Sequence, residues 1–420
     1  MRYSKGLLNY RFDLRLRDMK IVFLCLAFLS FAIISSYEAF FSFDVPFPAI
    51  IIFLLFMIGY CACCSNVKIK FTWIPVLLLL RLLIFCINAV FVNASSDALI
   101  DQITITVCSV FVFLCAYNFI SSSRKELNVV LTVFSLVTSI QIIVCVIFNT
   151  FDKTGIAAGI GLSNYAACFL LLCISYLLFV KTNKFEKLVI ILDIAALFAT
   201  QSFGAYLALF AVFVIFILRT FKRGSRRVRR YMFATGIVAI VGVIIFFKTS
   251  LGEGAWNKIN EKLIYFLQGN WKNFGSSRGE LFSFSWENIK RNLLFGTVEN
   301  INPAISERNP LSRWQGFRTH NIVLESLLLY GVIGSLINVA ILVYICNCCS
   351  KKIRYDSRKY SFIPCFLAIF IHGMIEPGIF TLHFEIFLWL LIGAFLTDGN
   401  KAKTSRRVTA DTNITFKAAV

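Results

Sequence analysis

Three histidines, a short set of arginines and a few charges inside apolar segments are the residues of this chain that could do chemistry. His320, His372 and His383 all map to one face of a membrane once the apolar runs are threaded through it. Histidine suits general-base work near neutral pH, although an interfacial His more often only packs. Arg308, Arg313 and Arg318 follow one another closely, with Arg278 earlier in the same polar segment. Arginine's planar fork binds phosphate in bidentate fashion; an ordinary solvated loop is the alternative reading. Arg81 and Asp193 lie within apolar runs, where an ionisable residue is a functional hypothesis by default. Either the two pair with each other, or Arg81 helps to hold an anionic substrate. Asp97 and Asp101 are four apart, hence on one helix face. They could hold a divalent ion, but acids at a helix start are common for dipole reasons, so no metal is assigned. Glu376, just before Pro377, reads as structural.

The elements that must position these groups are membrane helices. Of 420 residues, 58% are hydrophobic and 15% charged, with mean hydropathy +0.78. Soluble domains average roughly 45–50% apolar and ~25% charged, so a soluble enzyme, a disordered scaffold and a secreted disulfide framework are excluded. Apolar runs of spanning length lie near Ile21–Phe40, Phe47–Cys64, Phe71–Val92, Leu99–Ile120, Val129–Phe148 and Leu162–Val180, then as a broken pair within Val189–Leu218. Tyr231–Phe247, Asn321–Ile345, Phe362–Ile375 and His383–Leu396 complete about twelve. The expected class is therefore all-α: a polytopic membrane helix bundle with one large extracytoplasmic loop.

Charge supports this threading. The net charge is +20, and the basic residues gather in alternate segments: six before Ile21, seven in Arg219–Arg230, five in Lys351–Lys359 and five in the tail after Asp398. By the positive-inside rule these segments, and both termini, are cytoplasmic. The same rule requires the chain to turn at Thr200–Gly204; otherwise the Arg219–Arg230 cluster would lie outside. The turn implies two short arms beside a polar cavity, unless the first arm simply begins earlier, near Phe185.

Lys248–Thr319 is then the long outer loop, with four of the six tryptophans, as expected of a loop anchored at the interface. Within it, Leu281, Ser285, Ile289 and Leu293 recur at helical spacing opposite Glu287, Lys290 and Arg291. That pattern predicts an amphipathic helix over Glu280–Leu294, started near Ser276 or Ser277 and resting on the bilayer or packed on the spans. Its six Glu leave the loop only modestly positive, which disfavours nucleic acid. The 14 cysteines avoid the loop. Cys61-Ala62-Cys63-Cys64 and Cys346-Asn347-Cys348-Cys349 read as small residues at helix ends rather than zinc ligands. No Walker loop, dinucleotide glycine fingerprint or HExxH is present, so no cofactor is expected.

Several segments resemble a known family. Ser276-Ser277-Arg278-Gly279-Glu280, followed by Trp286 to Gly296, resembles the GR…W…I…NPLFG stretch of the bacterial O-antigen ligase and O-antigen (capsular polysaccharide) polymerase superfamily. Thr319-His320-Asn321-Ile322-Val323-Leu324-Glu325 with Tyr330-Gly331-Val332-Ile333-Gly334 is similar to its HN-xx-L-E…G-x-x-G motif, and Gly159–Ala167 to its N-x-N-x-x-A helix start. The family's turn carries an Arg where this chain has Phe203, and its Asn-Pro is Asn292-Leu293.

The resemblance implies an outer-face glycosyltransferase that polymerises undecaprenyl-diphosphate-linked repeat units into surface polysaccharide. A ligase moving the glycan onto lipid A core or another acceptor is the alternative, and a lipid-linked oligosaccharide flippase the second. It implies catalytic His320 and Arg278, with Arg318, Arg313, Arg81 and Asn321 binding substrate; Arg81 or Arg318 would supply the charge missing at Phe203. Expected partners are the lipid-linked glycan, an acceptor glycan or glycolipid, membrane lipid and a candidate chain-length regulator, with no nucleic acid. The expected location is the bacterial cytoplasmic membrane. The expected divisions are 1–247 (membrane bundle), 248–319 (outer loop), 320–397 (three further spans) and 398–420 (cytoplasmic tail).

Overall fold

The computed structural model describes residues 19–30, 47–64, 69–92, 95–120, 125–147, 151–152, 155–156, 163–180, 182–223, 248, 250–268, 278–301, 306, 308–309, 312–313, 318–355, 360–375 and 380–397. The expected span Tyr231–Phe247, the helix start at Ser276 or Ser277, Glu376 and the tail lie outside these residues.

Thirteen helices are described. They are α1 (Met19–Ser30), α2 (Phe47–Ala62), α3 (Trp73–Phe91), α4 (Ser96–Phe119), α5 (Lys125–Ile147), α6 (Ser163–Leu177), α7 (Lys184–Ala199), α8 (Phe203–Arg223), α9 (Ser250–Leu267), α10 (Arg278–Arg291), α11 (Ile322–Tyr355), α12 (Phe362–Gly373) and α13 (Leu382–Leu396). The remaining regular structure is a two-residue antiparallel ladder pairing Phe151 with Ile156 and Asp152 with Gly155. Five helices (α3, α4, α5, α8 and α11) are long and apolar enough to cross a membrane, and five further apolar helices are shorter. This is a multi-pass membrane protein.

Helix α3 shows why. Its exposed stripe is apolar throughout (Val76, Leu79, Leu83, Ile87, Val90), whereas Arg81 and Asn88 are on its buried stripe. A water-soluble helix would reverse that arrangement; in hydrocarbon the polar groups must turn inward. The core is built on α6, buried along nearly its whole length from Ala166 to Leu177, with α5, α7, α8 and α12 around it. α4 runs along α13, and α3 contacts both α4 and α11.

Helix α7 starts at Lys184, capped by Asn183 and Glu186, each side chain taking the other residue's N–H. It is therefore longer than a short arm. The chain nevertheless breaks at Thr200–Ser202, with Gln201 left-handed at φ +54. α10 matches the helix expected in the loop, but Leu281, Phe284, Ser285, Asn288 and Ile289 are buried against protein and Trp286 is exposed. Its apolar face is filled by the bundle, which corrects the bilayer-surface alternative. All 14 cysteines are free, and no group of three potential metal ligands occurs among the described residues.

Candidate functional site

The turn Arg318–Glu325 returns the chain from the long polar loop to the bundle, and its own side chains hold it. Asn321 caps α11: its Oδ1 accepts the N–H groups of Val323 (2.9 Å) and Leu324 (3.2 Å). Glu325 folds back, and one of its oxygens accepts both the N–H and the hydroxyl of Thr319, each at 2.8 Å. Between these anchors His320 adopts φ +51. The left-handed region costs a non-glycine residue about 1 kcal/mol or more, and His is among the types that tolerate it. His320 stays half-buried at the tip of the turn. Arg318 donates to the Phe380 carbonyl at 3.3 Å, lies 4.0 Å from Glu325 Oε1 and is within electrostatic reach of Asp101.

The same turn meets the end of α12. Asn321 Nδ2 donates to the Met374 carbonyl at 3.3 Å, and Gly373 abuts Ile322. On the other side of α12 lies the α7–α8 break: a methyl group placed on Gly204 would lie 3.3 Å from Ile375 and 3.6 Å from His372. Phe203, where the resemblance places an arginine, is adjacent to that contact. The turn, the end of α12 and the break therefore form one neighbourhood. Arg278 and Arg313 gather elsewhere, at the start of α10, where Arg313 pairs with Glu280 of the first turn.

What ties α10 to the turn is a break inside α11. Gly331 departs from helix (φ +63, ψ −167), which would orphan the peptide groups around it. The chain beyond α10 satisfies them. Val332 and Ile333 N–H donate to the Leu293 and Leu294 carbonyls (2.9 and 3.1 Å), and Thr297 and Val298 N–H donate to the Leu328 carbonyl (2.8 and 3.1 Å). Asn88 of α3 secures the junction, donating to the Phe295 and Gly296 carbonyls at 3.0 and 2.8 Å. The two motif segments Leu293–Gly296 and Tyr330–Gly334 are thus one interlocked structure.

Arg81 lies deeper, and its partner is not Asp193. It bonds Asn338 (3.2 Å) and Glu385 (3.4 Å) and lies 5.0 Å from the centre of the Tyr330 ring. Glu385 also accepts from Ser109 and from the Trp389 indole. Asp193 instead accepts from Ser139 of α5 at 2.7 Å. The reading that pairs them fails because Glu385, hidden in the last apolar run, is on α13, which runs along α4 and reaches Arg81 of α3, whereas α7 packs on α5 and α6. Sequence reading missed Glu385; an acid within an expected span was the available signal. It also gave no role to Glu325, Asn88 or Asn338.

A family model described as O-antigen ligase matches residues 188–339. Over that segment the chain is similar to the O-antigen ligase family. The segment runs from α7 through the break, α10 and the interlocked glycines to Asn338. Within the matched segment fall His320, Asn321 and Arg278, Arg313 and Arg318, while Arg81 and Glu385 lie outside it. No curated protein matches the chain.

Proposed function

We propose that this protein is an outer-face glycosyltransferase of the bacterial cytoplasmic membrane, a bundle of about twelve crossings with both termini cytoplasmic. It polymerises undecaprenyl-diphosphate-linked repeat units into surface polysaccharide. The observation that carries the reading is the Arg318–Glu325 turn: His320 held in left-handed backbone in a turn whose Arg318 lies 4.0 Å from Glu325, inside the matched segment. In this reaction an acceptor hydroxyl attacks the anomeric carbon of the donor sugar, the bond from that carbon to the diphosphate oxygen breaks, and configuration inverts. Neutral His320 takes the hydroxyl proton. Arg318 stabilises the charge that develops on the departing lipid diphosphate and Asn321 shapes the turn, while Arg278 and Arg313, gathered at the start of α10, serve the same donor only if it extends from the turn to that helix end. Arg81, already neutralised by Glu385, acts more through the shape of the bundle than through free charge.

The name carried by the matching family model supports a second reading, transfer of a finished chain onto lipid A core or another acceptor. Replacing the native gene by His320→Ala, with membrane expression verified, tests both. Electrophoresis of lipid-linked and surface glycan is expected to match the gene deletion. Single lipid-linked repeats identify a polymerase, and long unattached lipid-linked chains a ligase. A wild-type profile removes His320 as the base and favours a flippase.

A further inference from the structure

Inside α11 three polar side chains meet that a straight helix would hold apart. The Ser326 hydroxyl lies 2.9 Å from that of Ser335, nine positions on, and accepts from Asn338 Nδ2, twelve positions on, also at 2.9 Å. In an unbroken α-helix Ser326 and Ser335 would point to opposite faces, roughly 13 Å apart along the axis, with Asn338 roughly 18 Å away. They meet because the chain turns sharply at Gly331. Helix α11 is therefore two limbs: a short one, Ile322–Tyr330, that begins at the His320 turn, and a long one from Val332 to Tyr355.

These side chains bridge the angle between the limbs, and the groups behind them are fixed. Asn338 uses both ends of its amide, donating to Ser326 through Nδ2 and accepting from Arg81 of α3 through Oδ1 at 3.2 Å. Arg81 is buried and pairs with Glu385 of α13, which also accepts from Ser109 of α4 and from Trp389. The far end of the short limb is held by the same groups. Arg81 lies over the Tyr330 ring, and the Tyr330 hydroxyl accepts from Gln102 of α4 at 2.6 Å. A network anchored on α3, α4 and α13 thus ends on Ser326, the residue after Glu325, whose carboxylate holds Thr319.

We infer that Ser326, Asn338 and Arg81 are positioning residues, a brace across the break that sets the tilt of the short limb and with it the place of His320 and Arg318. The inference rests on the function proposed above, and it adds which buried groups aim that site. The short limb is about 14 Å long, so a tilt of about 10° at Gly331 carries the turn roughly 2 Å. A misplacement of ~1 Å can cost about a hundredfold in rate. A hydroxyl six residues from His320 therefore bears on turnover without touching substrate.

Ser326→Ala and Ser335→Ala each remove one hydroxyl from the brace, whereas Ser326→Thr keeps it. Ser350→Ala, whose hydroxyl bonds the Asn347 carbonyl of its own helix, is the control. Each purified full-length protein is given lipid-linked glycan extracted from cells lacking the gene, and kcat and KM for transfer are measured beside hydrogen exchange. Ser326→Ala is expected to lower kcat roughly tenfold or more, with KM and unfolding temperature near their wild-type values. Exchange should quicken at Thr319, Val323 and Leu324, whose amides the turn protects. Ser335→Ala moves the same way, Ser326→Thr recovers most of the loss, and Ser350→Ala matches wild type. Wild-type kcat and exchange in both brace alanine variants overturn the inference. So does a fall in kcat that Ser326→Thr does not recover, or that comes with lost protection throughout the bundle, because those are the marks of lost packing. If wild type transfers nothing, the proposed activity fails, while exchange at the turn still decides the brace.

Discussion

Two helices of this bundle are interrupted, and the interruptions are repaired in opposite ways. Between α7 and α8 the repair is local: Gln201 takes the left-handed conformation, the Thr200 hydroxyl donates to the Leu197 carbonyl at 2.7 Å, and the Tyr206 hydroxyl reaches the Phe198 carbonyl at 2.6 Å. Inside α11 the repair is tertiary. Gly331 opens the helix, and the backbone beyond α10 supplies the missing partners. A locally repaired break joins two helices and commits nothing else. A break repaired by a distant backbone fixes that distant element in place, and here the element is the helix that begins with Arg278. Backbone polar groups at membrane depth must find protein partners, so the second break works as a fastening.

The sharpest way to test this contrast is to spoil the fastening. At Gly331 a β-carbon would lie 2.4 Å from Gly296 N and from the Leu294 carbonyl oxygen. Both obstacles are backbone, and φ is +63, so neither side can yield cheaply. Gly331→Ala is expected to cost roughly 3–5 kcal/mol, overpacking and left-handed strain together. The loss is read as lower thermal stability in detergent and as new proteolysis near α10. A variant as stable as wild type would show that the two segments merely touch.

Asn88 gives the next largest effect. It is buried on α3, donates to two carbonyls of the fastening and accepts from Asn292 Nδ2 at 2.9 Å. Asn88→Ala leaves buried carbonyls without their donor, a penalty of about 1–3 kcal/mol. It should loosen α10 while leaving the α7–α8 break protected. Hydrogen exchange that rises equally at both breaks would mean that the bundle responds as a whole and that the contrast is false.

These contacts also show where sequence reading ended. The apolar runs located α3 to α6, the start of α11, and α12 and α13 to within a few residues, because lipid imposes a length and a composition that are visible in one dimension; α11 runs ten residues past its expected end at Ile345. Basic clusters forced the turn at Thr200–Gly204, and the structure breaks there. The i+4 stripe of α10 was visible, but a stripe packed on protein and one resting on lipid read alike. The fastening was not legible. Leu293–Gly296 and Tyr330–Gly334 could each be picked out as motifs, yet nothing local says that one mends the other. Of the two readings left open for Arg81, pairing with Asp193 fails for a related reason: Glu385 is 304 positions away, and pairing over such a separation leaves no spacing to read. Glu325 was one letter of a motif until its bonds to Thr319 gave it a task.

The smallest expected effect belongs to the first break, and its sign is the informative part. Gln201 is held at φ +54 without a glycine's freedom, so Gln201→Gly relieves strain where the native backbone already favours glycine. A gain of ~0.5–1 kcal/mol is expected, in contrast to Gly331→Ala, where the opposite exchange is ruinous. Glycan profiling of the same variant then separates two reasons for the strained residue. If stability rises and chain formation is unaffected, Gln201 is a neutral solution to a turn that the topology requires. If stability rises while chain formation falls, the glutamine side chain is kept for substrate, at a break that lies beside the end of α12 and the Arg318–Glu325 turn. Strain retained against stability is what a binding residue leaves behind, and here it would place the α7–α8 break inside the site despite the loss of the family's arginine at Phe203.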